Sequence, residues 1–139
     1  MTRLHSQPIQ GKSLDIIDAI FQTEEMASVG DAWGTLSVVV DELVVNIVDY
    51  ANSAYLDVEI SCDEDRITLC FRDGGIPFNP LEKESPDFSI PFEDRKIGGL
   101  GIFMVIQYMD TVAYEYTEGE NILTVMKKVK KVKNKKVKK

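Results

Sequence analysis

The sequence holds one histidine, two cysteines and one tryptophan in 139 residues. With His5 as the sole imidazole and no Cys-x-x-Cys pair, zinc sites and Ser-His-Asp or Cys-His nucleophiles lack ligands and a base. Long apolar runs are also missing, and nothing approaches the ~18–20 residues of a membrane span. The opening MTRLHSQPIQ has no apolar stretch and no small-residue cleavage site, so no secretory leader is expected. A cytoplasmic, soluble chain is the expectation.

The cysteines lack a geometry for pairing. If residues 55–62 and 66–73 form a hairpin around Asp63-Glu64-Asp65, Cys62 faces Arg66 and Cys70 faces Val58. Their sulfurs then lie roughly 13 Å apart at ~3.3 Å per residue, beyond disulfide reach. Free thiols in a reducing compartment follow.

Positive charge is scarce over most of the chain. Only 7 of the 16 basic residues precede Lys127, together with all 23 acidic ones, so the body carries 7 − 23 = −16. The segment Lys127–Lys139 carries +9. Nucleic-acid affinity rests on neutralising phosphates, which so acidic a body does poorly. The end, KKVKKVKNKKVKK, is low in complexity and reads as a disordered tail over 130–139. It is either a solvated extension or a partner for an anionic surface, the acidic face of this chain or of a second copy. The remaining 1–129 suit one domain, near the ~150-residue prior, and such a domain buries roughly two-thirds of its unfolded surface.

What is present is a run of well-punctuated elements. Residues 3–9 read as a strand ended by Gly11, and Ser13 opens a helix to about Ala27 with Leu14, Ile17, Ile20 and Phe21 on one side. Gly30 and Asp31 open a longer helix to about Tyr50. The hairpin follows, with Leu56, Val58, Ile60 and Cys62 alternating against polar neighbours, then Ile67, Leu69 and Phe71 on one face of its second strand. Residues 73–98 carry glycine and proline without a period, the mark of a functional or mobile segment. Gly99 leads into a helix to about Met109, and strands near 111–117 and 122–128 close the chain around Glu118-Gly119-Glu120. This order predicts an α+β fold, a two-layer α/β sandwich whose mixed, mostly antiparallel sheet has helices on one face.

Three segments carry chemistry. On the long helix, Leu36, Val40, Leu43, Val44, Ile47 and Ala51 share an apolar arc, and Glu42 and Asn46 lie together on the other side with Asp49 beside them. That side reads as an ordinary wet face, except that Val38 and Val45 flank the pair. A carboxylate and an amide on a partly apolar wall suit a site that positions a hydrated cation and a nucleophile. Asp73-Gly74-Gly75-Ile76-Pro77-Phe78-Asn79-Pro80 follows a strand directly; it is either a plain turn or a loop that admits a ligand closely, with Asp73 able to accept from an exocyclic amine. Ile97-Gly98-Gly99-Leu100-Gly101 runs into a helix, whose N-terminus favours phosphate. It matches neither the P-loop nor the dinucleotide-binding glycine pattern.

Taken together, Glu42…Asn46, Asp73-x-Gly75 and Gly99-x-Gly101 resemble the N, G1 and G2 boxes of the GHKL (Bergerat) ATP-binding superfamily. Within it the chain is similar to the anti-sigma-factor serine/threonine protein kinase branch of bacteria. Met109-Asp110-Thr111-Val112-Ala113-Tyr114 and Asn121-Ile122-Leu123-Thr124 extend the likeness over about residues 10–128.

The resemblance implies a Bergerat fold and a role for each matching residue. Glu42 is the general base or water-orienting carboxylate, and Asn46 a Mg²⁺ ligand. Asp73 reads the adenine amine, Gly75 lets the base approach, and Thr124 supports the adenine end. Gly98, Gly99, Leu100 and Gly101 cradle the phosphates with their N–H groups. Residues 81–97 form an ATP lid from which Arg95 or Lys96 reaches the γ-phosphate. The implied activity is Mg-ATP-dependent phosphorylation of a STAS-type anti-anti-sigma protein, in partner switching with a sigma factor. The alternative is an ATP-binding regulatory module with little turnover. Tyr50 stands where many members have histidine, and Gly74 and Asn79 depart from the usual charged residues of that box.

Overall fold

The structure, a computed structural model, describes residues 1–79 and 99–130. In chain order the elements are β1 (Thr2–Ser6), α1 (Ser13–Phe21), α2 (Glu24–Ala27), a 3₁₀ turn (Gly30–Ala32), α3 (Trp33–Tyr50), β2 (Leu56–Cys62), β3 (Arg66–Asp73), α4 (Gly99–Tyr108), β4 (Thr111–Thr117) and β5 (Glu120–Lys128). The expected α+β sandwich is what forms. Its five strands make one sheet in the order β1-β2-β3-β5-β4.

Every pairing among the described residues is antiparallel, in line with the mostly antiparallel sheet that the element order predicts. The reason lies in the last two strands. The chain leaves β3, returns through α4 into β4 one place too far out to pair with β3, and β5 fills the gap antiparallel to both. The β4–β5 hairpin closes tightly through Glu118 and Gly119, both with positive φ (52° and 81°), which is the backbone of a two-residue primed turn.

Alternation in the strands sorts the two faces. Ile67, Leu69 and Phe71 of β3, with Val58 and Ile60 of β2 and Val125 of β5, point into one core with the helices. Helix α3 adds Leu36, Val39, Val40, Leu43, Val44 and Val48, each buried. Relative to the sequence arc, Val39 and Val48 join this face while Ile47 is only half-buried. Each such side chain contributes about 1.5–3 kcal/mol when fully buried, so α3 is held by its packing more than by its ends, which carry no side-chain cap at the start. The outer face is polar, and its β1–β2 ladder pairs Arg3 with Glu59 (3.0 Å) and His5 with Asp57.

Two expectations need correction. The predicted helix 13–27 breaks at Gln22-Thr23, where Thr23 adopts an extended backbone and its hydroxyl caps α2 by accepting from Met26 N–H at 3.3 Å. The hairpin register is also one residue off. Asp63 N–H donates to Arg66 O at 2.9 Å, so the turn is the two residues Glu64-Asp65 and not three. Cys62 therefore pairs with Ile67 and Cys70 with Glu59. This sets the cysteines on opposite faces of the sheet; both are free thiols.

Candidate functional site

The site grows along one side of α3. Glu42 and Asn46 are one helical turn apart, and Asn46 Nδ2 donates to Glu42 Oε2 at 2.7 Å. This fixes the amide so that its Oδ1 faces away from the carboxylate. Val38 and Val45, which flank the pair, are exposed.

Helix α4 crosses beside this pair. Gly101 lies in its first turn, and a Cβ built there would sit 2.0 Å from Glu42 Cδ and 2.2 Å from each carboxylate oxygen. The carboxylate thus occupies the room of the missing side chain. Gly99, Leu100 and Gly101 open α4, so their backbone N–H groups belong to the first turn, where no intrahelical partner exists and anions are favoured. Arg95, Lys96, Gly98 and the expected lid 81–97 lie outside the described residues.

The other end of the site is the end of β3. Asp73 is buried, 4% exposed. Its Oδ1 accepts from Gly75 N–H at 2.8 Å and from Asn121 Nδ2 at 3.1 Å. Its Oδ2 has no hydrogen bond among the described residues, none of which leaves a fully buried side-chain oxygen unpaired, so Oδ2 is not sealed from solvent. Burial raises the Asp73 carboxyl above its ordinary value; the Gly75 and Asn121 bonds oppose the rise, and the Glu120 charge adds to it. The result is one pinned oxygen and one open one.

The loop after β3 is stitched to the C-terminus of α3. Ile76 N–H donates to Ala51 O at 3.0 Å, and a Cβ on Gly75 would meet that oxygen at 2.0 Å. The close approach that Gly75 permits here is therefore to Ala51. From Asn46 to Ala51 the helix advances about 7.5 Å at 1.5 Å per residue, so the metal-ligand candidate and the anchor point of the loop that follows Asp73 lie on one helix. Behind the loop, Ser53 Oγ accepts from Gly74 N–H at 2.9 Å, and the Tyr55 ring fills the space beside Gly74. Tyr55 donates its hydroxyl to Glu120, a bond that pushes its pKa up to about 12.

Thr124 does not join this group. It pairs with Cys70 in the β3–β5 ladder and its hydroxyl bonds Cys70 Sγ at 3.6 Å, on the outer face of the sheet. The strand's period of two puts Asn121, not Thr124, on the face of Asp73. Asn121 was legible only through that register: it stands three residues before Thr124, within the stretch that carries the resemblance. The outer face also holds a cleft of about 420 Å³ lined by Arg3, His5, Asp57, Cys70 and Arg72 among others, which shares no residue with the site along α3.

A model of the histidine kinase-like ATPase domain matches residues 16–127. The chain belongs to that family. Among curated proteins it is similar to the serine/threonine-protein kinase BtrW of Bordetella bronchiseptica, 26% identical over 117 residues, covering 78% of this chain and 82% of that protein. It is also similar to the serine-protein kinase RsbW of Listeria monocytogenes, 29% identical over 96 residues, covering 63% of this chain and 61% of that protein. Glu42, Asn46, Asp73, Gly75 and Gly101 all fall within the span matched to the ATPase domain.

The donor set is compatible with magnesium on an ATP ligand. Among the described residues no three His, Cys, Asp or Glu side chains gather to hold a metal by themselves. Mg²⁺ bound to a nucleotide needs only one or two protein oxygens beside phosphates and water. Asn46 Oδ1 would supply one, with Glu42 next to it. No helix among the described residues is long and apolar enough to cross a membrane.

Proposed function

We propose that this histidine kinase-like ATPase domain is a Mg-ATP-dependent serine/threonine protein kinase of the anti-sigma type. Its target is a STAS-domain antagonist, and its second partner a sigma factor held in partner switching in the cytoplasm. The observation that carries the reading is the seat of Glu42, whose carboxylate lies against Gly101 in the first turn of α4. A γ-phosphoryl group resting on those N–H groups would have a carboxylate beside it. The target hydroxyl oxygen would attack the γ-phosphorus, the bond to the β,γ-bridging oxygen would break, and ADP would leave while Glu42 takes the hydroxyl proton. Such transfers depend chiefly on positioning and charge. The relatives named as serine kinases support the same chemistry.

The test is incubation with γ-labelled ATP, Mg²⁺ and STAS proteins encoded beside this chain, for the wild type and Glu42→Gln. Label should move to a serine or threonine of one STAS protein. The variant should bind ATP normally and transfer about 10²–10⁴-fold more slowly, the range for loss of a general base. ATP binding without labelling of any of them would leave an ATP-gated binding module as the function.

A further inference from the structure

Asn121 has every hydrogen-bonding group of its amide committed. Its Nδ2 donates to Asp73 Oδ1 at 3.1 Å and to Ile76 O at 2.8 Å. Its Oδ1 accepts from Phe78 N–H at 3.1 Å and from the Tyr114 hydroxyl. The side chain is 6% exposed. The amide cannot be turned over, because a flipped NH₂ would face the Phe78 N–H, a donor with nothing to accept. Its orientation is thus set by the backbone of the loop and by Tyr114.

That orientation decides which oxygen Asp73 presents. Asp73 and Asn121 are direct cross-strand partners, a placement in which Cβ atoms lie ~4.5–5.5 Å apart. Tyr114 of β4 is the diagonal neighbour, two residues from Tyr116, which opposes Asn121. With Gly75 N–H and Asn121 Nδ2 both on Oδ1, the carboxylate has two anchors on one oxygen and Oδ2 left open. We infer that Asn121, oriented by Tyr114, is a positioning residue that aims Asp73 Oδ2 at the nucleotide base and so sets the preference for a 6-amino purine over a 6-oxo purine. The inference rests on the nucleotide-binding reading above. A fixed acceptor takes the exocyclic amine of adenine as donor, whereas hypoxanthine offers a carbonyl oxygen at the same place. A site built to bond a donor rejects the analogue lacking it strongly, because its own polar group is then left unpaired.

The experiment measures Kd for ATP and ITP by calorimetry with the wild type, Asn121→Ala and Tyr114→Phe, each checked for a cooperative thermal transition. The wild type should favour ATP. In Asn121→Ala the ATP/ITP preference should fall roughly tenfold or more, the worth of one hydrogen bond to a charged group. ITP binding should barely change, since the phosphate contacts are untouched. Tyr114→Phe, which leaves Asn121 in place and removes one of the two donors to its Oδ1 while Phe78 N–H remains, should fall between. Equal weakening of ATP and ITP in a folded variant assigns Asn121 a merely structural role and overturns the inference. If Asn121→Ala does not fold, Tyr114→Phe decides by the same ratio. A wild type that binds no nucleotide removes the functional reading itself, and the inference with it; one that binds ATP and ITP alike removes the inference alone.

Discussion

Gly101 and Glu42 are in contact to the limit that a glycine allows: the carboxylate of one stands where the side chain of the other would begin. Helix α4 can approach α3 this closely because nothing projects from it at that turn. The contact joins the element whose N–H groups would hold phosphate to the residue that would handle a proton.

Gly101→Ala tests that contact. The atoms it meets are the far end of a flexible side chain, so the carboxylate can swing aside and the fold should survive with a loss below about 1 kcal/mol, small against typical overpacking. Phosphoryl transfer should fall at least a hundredfold, because a displaced base no longer reaches the hydroxyl. Urea unfolding alongside the transfer assay separates the two, and unchanged transfer would show that the seat of Glu42 is immaterial.

Gly75→Ala should behave in the opposite way. Its new methyl meets the carbonyl oxygen of Ala51, a backbone atom on the last turn of α3 that cannot rotate away. Overpacking against fixed atoms costs about 1–3 kcal/mol. We expect a lower urea midpoint without nucleotide, and loss of the Ile76-to-Ala51 bond visible as faster amide exchange at Ile76. A variant as stable as the wild type would mean that the loop shifts freely and is not pinned to α3.

Asp73→Asn should weaken ATP by more than about 1 kcal/mol, since an amide nitrogen can replace the open acceptor. Its effect on stability has the other sign. Burial holds the Asp73 carboxyl above its ordinary value, so the folded state binds that proton more tightly than the unfolded chain. Stability then falls as pH rises from about 3.9, the unfolded value, through the folded pKa. The asparagine variant lacks this titration and can still accept from Gly75 and Asn121. Its stability relative to wild type should therefore improve as pH is raised from about 4 to 7 without nucleotide. A difference independent of pH would show that the ionised carboxylate is not disfavoured in the fold.

Glu42 and Asn46 were readable in advance because helix geometry alone sets residues four apart on one face. The strand ends around Asp63 and Glu118 were readable because turn residues punctuate alternating runs. The hairpin register was not, since it depends on whether the turn holds two residues or three, and acidic residues at 63–65 suit either. Thr23 looked like an ordinary helical residue until its hydroxyl was seen to cap a new start. Asn121 was harder still. Its partner Asp73 is 48 residues away, and only the long-range pairing of β3 with β5 reveals that they share a face while Thr124 does not.

Strand β5 is made last of the five yet lies inside the sheet, between β3 and β4. A polypeptide leaving the ribosome therefore exposes Asp73 with its local Gly75 anchor well before Asn121, the second anchor, exists. Until β5 slots in, β3 is an open edge and β4 has no neighbour among the described strands. Pairings this distant in sequence are slow to close. Nucleotide competence should thus appear all at once, with the final strand, and a growing chain has no half-built form able to capture ATP prematurely.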